Sequence, residues 1–124
     1  MSEDNSNLVR LLVDKVINGN DLALVEQLFA PELAGPVRQG FMSFRAAFPD
    51  WREEIVDLVS EDDKIAVRFR CTGTLQGEFM GVEPNGRRQE VDEVFFLRVR
   101  DGRIVEYWGL EDNLARLEQL GARS

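Results

Sequence analysis

Apolar residues recur at helical spacing in the first half of the chain and at every second position in the next part. Leu8, Leu11, Leu12 and Val16 fall on one stripe of a helix. Asn5 or Ser6 is placed to cap it, and Asn18-Gly19-Asn20 to end it. A second short helix follows Asp21, with Leu22, Val25 and Leu28 on one side and Pro31 as its stop. Pro36 opens a third helix in this reading. There Val37, Phe41, Phe44 and Phe48 lie four, three and four apart and share a face, and Pro49-Asp50 closes it.

Trp51 to Val59 then reads as a strand and Glu61-Asp62-Asp63 as a turn. Ile65, Val67, Phe69 and Cys71 alternate with Ala66, Arg68, Arg70 and Thr72, the period of a strand with one buried face. Gly73, Gly77 and Gly81 suggest a bulged or strongly bent strand, and Pro84-Asn85-Gly86 a turn. Gln89 to Arg100 is a long strand, joined through the hairpin dipeptide Asp101-Gly102 to a return strand, Arg103 to Leu110. Leu114, Leu117 and Leu120 mark a last helix. Segregated helices followed by an antiparallel meander indicate an α+β fold. A single sheet must curve to enclose helices on one face, and that curvature leaves a conical pocket. Residues 1–124 form one domain, with no repeat, linker or low-complexity tract.

Composition narrows the chemistry. The 124 residues suit a single core. Fifteen basic against 23 acidic residues give a net charge of −8, which repels phosphate backbones, so no nucleic-acid partner is expected. The chain has no histidine, which removes histidine triads, histidine metal ligands and a histidine base. Cys71 is the single cysteine, so no internal disulfide forms. The opening MSEDNSN is polar and acidic, and no apolar run has membrane-spanning length. A cytoplasmic protein without membrane contact is the expectation.

The stretches FRAAFPDW (44–51), DKIAVRFRCTGTLQGEFMGVEPNGRR (63–88), FFLRVRDGRIVEYWGLED (95–112) and QLG (119–121) resemble the SnoaL-like polyketide cyclases, or ester cyclases. These belong to the nuclear-transport-factor-like cone folds. The resemblance implies a curved antiparallel sheet of about four strands wrapped around three N-terminal helices, with a short C-terminal helix. It also implies an intramolecular aldol reaction needing no cofactor or metal, and pairing into a homodimer. The family's acid/base aspartate corresponds to Asp112. The positions of two family histidines are taken here by Phe95 and Tyr107, and the segment Pro31 to Pro36 is shorter than is usual.

Asp112 carries two readings with opposite chemistry. An aspartate directly before a helix is a favoured cap, whose carboxylate is stabilised by backbone N–H groups. A base facing an apolar pocket is instead harder to ionise. Trp108 and Phe95 are the candidates for such surroundings, and Asn113 is available to take over the cap. Tyr107 is a candidate donor to an enolate oxygen or a packing residue. Glu93 shares a strand face with Phe95 and is a candidate for the pocket rim. Phe41 and Phe44 are core residues that also serve as pocket lining, and Trp51 reads as core. Arg68 and Arg70 read as surface ion pairs and Cys71 as a small buried side chain. The acidic runs at 61–63 and 90–93 lack the spacing of a calcium loop and read as solvated.

The sequence thus predicts a cyclase or isomerase acting on a small apolar carbonyl compound. The alternative is a module of the same fold that binds a small hydrophobic ligand, or dimerises, without turnover.

Overall fold

The computed structural model describes residues 2–122. Helix α1 (Ser2–Leu11) runs directly into a π-helical turn, Leu12–Ile17. Its buried stripe of Leu8, Leu12, Val13 and Val16 faces the sheet. The helix starts before the expected caps. Asn5 lies inside it, and its Nδ2 donates to Asp62 O at 2.9 Å, tying the helix to a strand turn. A 3₁₀ turn (Leu22–Leu24) leads into α2 (Val25–Leu28).

Helix α3 (Pro31–Ala47) begins at Pro31, five residues earlier than the expected start. Proline suits the first helical position because that N–H needs no partner and the ring presets φ. Pro36 therefore lies inside the helix. The segment expected to be a short connection is the first turn and a half of α3.

The strands are β1 (Arg52–Glu61), β2 (Lys64–Thr74), β3 (Arg88–Arg100) and β4 (Arg103–Glu111). They form one antiparallel sheet in sequence order. Register shifts at Ile55/Asp57 and at Arg98/Val99 bend the edge strands, and the curved sheet stays open. Asp101 and Gly102 both have positive φ, as a two-residue hairpin turn requires.

Gly73 lies in β2, and the glycine-rich stretch beyond it is not a strand. Residues 75–87 are irregular, with an isolated bridge between Phe79 and Val82 and backbone hydrogen bonds from Gln76 and Gly77 to Ala47 O. Gly73 and Gly77 are small because α3 ends against them. A Cβ at Gly73 would stand 2.8 Å from Phe48 Cβ, and one at Gly77 3.2 Å from Ala47 Cα.

The alternation in β2 is the core's backbone. Ile65, Val67, Phe69 and Cys71 are buried under the helices. Outside, Arg68 pairs with Asp57 and Asp92, and Arg70 with Asp92. Helix α4 (Asn113–Gln119) closes one end. Its expected leucine stripe is only partly used: Leu120 is buried, Leu114 is exposed, and Arg116 takes the inward place.

Candidate active site

Inward positions of all four strands meet one face of α3 around a cavity of about 280 Å³. Helix α3 contributes Phe41 and Phe44, and Trp51 joins them from the residue just before β1. The Trp51 ring meets both phenylalanines edge-on, with centroids 5.6 and 4.8 Å apart. Phe69 and Phe95 form a second aromatic pair at 5.8 Å. Tyr107 and Glu111 of β4 line the same space.

Two carboxyl groups interrupt this apolar wall. Glu53 and Glu93 are each 4 % exposed. An oxygen of each and the Cys71 sulfur all lie within 4.8 Å of one another. Glu53 Oε2 accepts a hydrogen bond from Trp51 Nε1 at 2.9 Å, while Oε1 has no N–H donor. Glu93 Oε2 accepts from Arg116 at 2.7 Å.

Arg116 organises the cluster from below. It is 0 % exposed, and it donates to Gln89 Oε1 (3.1 Å), Glu111 Oε1 (2.8 Å), Asn113 Oδ1 (2.6 Å) and Glu93. Its guanidinium also stacks over Phe44 at 5.2 Å. Gln89 in turn donates to Cys71 Sγ at 3.6 Å. Every guanidinium nitrogen is therefore used.

Burial, followed by the Glu93 charge, pushes the Glu53 carboxyl up to about 10. Burial also raises Glu93, but the Arg116 guanidinium opposes that. Burial works to lower Arg116, and its bonds to Glu111 and Glu93 outweigh this, so the cation persists. Burial thus favours a proton on Glu53, while Glu93 has Arg116 as its counterion. Burial pushes the Cys71 thiol up, which keeps it protonated and inert. Glu53, Cys71 and Glu93 have the reach to share a metal ion. Arg116 already supplies a cation to this cluster, at 2.7 Å from Glu93.

Five of the sequence-predicted site residues converge here: Phe41, Phe44, Glu93, Phe95 and Tyr107. Glu93 is a buried member of the wall, not a rim residue. Two do not join them. Asp112 is exposed and caps α4, with Oδ1 accepting from Ala115 N at 3.0 Å. Asn113 does not take over that cap, because its Oδ1 is bound by Arg116. Trp108 lies on the opposite sheet face, 58 % exposed, beside Phe96. Strand alternation puts it there, one residue after the inward Tyr107. Sequence reasoning missed Glu53 and Arg116 altogether. The signal for Glu53 was an acid at an inward position between Trp51 and Ile55.

A family profile for SnoaL-like polyketide cyclases matches residues 7–120, and the chain belongs to that family. Among solved structures it is similar to IdmH of Streptomyces antibioticus, a proposed polyketide cyclase. That match has 32% identity over 94% of this chain and 98% of IdmH, with a TM-score of 0.81. It is also similar to AclR of Streptomyces galilaeus, a proposed hydroxylase. Here identity is 29% over 98% of this chain and 83% of AclR, with a TM-score of 0.88. TsrD of Streptomyces laurentii shares the fold at a TM-score of 0.91 and 23% identity, covering 98% of this chain and 97% of TsrD. A search of curated protein sequences returned no match. No helix among the described residues is long and apolar enough to cross a membrane.

Proposed function

We propose that the protein is a cofactor-free cyclase or isomerase for a small, apolar carbonyl compound, and that Glu53 and Glu93 are its acid–base pair. The observation that carries this reading is the buried pair of carboxyl groups on the wall of an aromatic cavity, only one of them bound by a cation. Such a pair is acid and base at once. Glu53 gives its proton to a carbonyl oxygen while the Glu93 carboxylate takes a proton from the adjacent carbon. The C–H electrons become the enol double bond. That bond then attacks a second carbonyl carbon of the same molecule, forming the ring C–C bond. The enol proton passes through the pair to the new hydroxyl, so the pair holds one proton throughout. The Tyr107 hydroxyl is the candidate donor to the developing oxyanion. The aromatic walls exclude water and fold the substrate. Asp112 has no part in this scheme, because its carboxylate is spent on the α4 cap.

The test is turnover of linear aromatic polyketone esters by Glu53→Gln and Glu93→Gln. Removing one acid or base typically costs about 10²–10⁴-fold in rate. Folded variants with wild-type turnover would refute the assignment. A wild-type protein that binds these compounds and returns them unchanged would favour the binding-module alternative.

We further propose that two copies pair through the outer sheet face. Register places Val59, Ala66, Phe96 and Trp108 in one row across all four strands. Val59, Phe96 and Trp108 are all exposed. Sedimentation should give a dimer at micromolar concentration, and Trp108→Glu should give a monomer. A wild-type monomer would contradict this.

A further inference from the structure

Gly109 lies on the inward face of β4 between Tyr107 and Glu111, directly opposite Phe95 of β3. The Phe95 ring lies across it. A Cβ at position 109 would stand 2.9 Å from Phe95 Cζ and closer still to Cδ1 and Cε1. Carbon–carbon packing needs about 3.5–4.0 Å. The backbone of Gly109 is not among the positive-φ glycines. The glycine is therefore required by the ring above it and not by the chain's conformation. Phe69 bounds the ring on a second side, and the cavity lies on a third.

We propose that Gly109 and Phe95 together set the size of the ligand this cavity accepts. The absent side chain at 109 is a recess that holds the Phe95 ring back against the sheet. With Phe69 behind it, a ring displaced from the recess swings into the cavity. Phe95 is the wall that touches the ligand, and Gly109 is the residue that positions it. The inference rests on the cavity being the ligand site. At about 280 Å³, the cavity is nearly twice the ~150 Å³ that holds one benzene ring. Two fused rings are therefore the expected limit.

The experiment is a binding series of acetophenone, acetylnaphthalene and acetylanthracene, followed by Trp51 fluorescence. The chain has two tryptophans, so Trp108→Phe leaves Trp51 in the cavity wall as the sole reporter. In that background the one- and two-ring ketones should bind, and the three-ring ketone at least tenfold more weakly. Gly109→Ala should weaken the two-ring ketone tenfold or more and leave the one-ring ketone within twofold. Phe95→Ala should admit the three-ring ketone. Adding Gly109→Ala to Phe95→Ala should change nothing further, because the ring it displaces is gone. This last comparison also covers the case in which Gly109→Ala alone fails to fold. A Gly109→Ala effect that is equal for all three ketones, or that persists without Phe95, would overturn the inference. So would a size limit that none of the variants moves. If the parent protein binds no member of the series, the cavity reading falls first and takes this one with it.

Discussion

Replacing Arg116 with methionine removes the cation and keeps most of the volume. The wild-type guanidinium is fully buried and donates to four acceptors, two of them carboxylates. Without it, Glu93 is left 4 % exposed, beside Glu53, with no counterion. Breaking a buried ion pair by removing one partner costs about 3–5 kcal/mol. A domain of this size has a total stability of about 5–15 kcal/mol. The variant should therefore lose a fifth or more of its stability at pH 7.5, seen as a lower urea midpoint at unchanged slope. The deficit has a definite pH dependence. Glu93 in the variant escapes the penalty by binding a proton, so the gap to wild type should narrow as the pH falls toward 5. Glu93→Gln in the Arg116→Met background should restore about half the loss, because the stranded charge is then gone. A deficit under about 1 kcal/mol, or a double variant less stable than Arg116→Met, would refute the reasoning.

Two further outcomes concern Glu53 and Asp112. Glu53 has a folded-state pKa of about 10, above its ordinary value of 4.5. Its contribution is complete below pH 4.5 and is lost as pH rises toward 10, by at most about 1.4 kcal/mol per unit. Glu53→Gln mimics the protonated acid, so wild type minus variant stability should fall steadily from pH 5 to 9 in urea melts; a flat difference would argue against the buried proton. Asp112→Ala should cost about 1 kcal/mol through the lost cap and leave kcat within twofold in the cyclisation assay. A large loss of kcat in that variant would return Asp112 to the chemistry.

Much of the fold was legible because the patterns were local. The period-two alternation of Ile65 to Thr72 and the Asp101-Gly102 turn each fix a strand or hairpin from within a few residues. Pro31 was not legible, because the same ring that stops a helix also suits the first position of the next one. Gly73 and Gly77 were read as freedom to bend, but each answers to a neighbour distant in sequence, Phe48 and the end of α3. The site shows the same division. Phe41, Phe44 and Phe95 were found through periodicity and resemblance. The acid pair required Glu53 and Glu93 to meet through strand register, which no spacing along the chain encodes. Arg116 was hidden because a basic residue on a short terminal helix reads as solvent-facing, and three leucines nearby offered a simpler stripe. Asp112 was attractive because it stood in a motif. The helix cap that the structure shows at Asp112 was visible in the same residues.

The buried proton itself is open to direct observation. Infrared spectra at pH 7.5 should contain a protonated-carboxyl C=O band that disappears in Glu53→Gln and persists in Asp112→Asn. If wild type lacks that band at pH 7.5, or Glu53→Gln leaves it unchanged, Glu53 is not the proton holder and the acid–base pair is refuted.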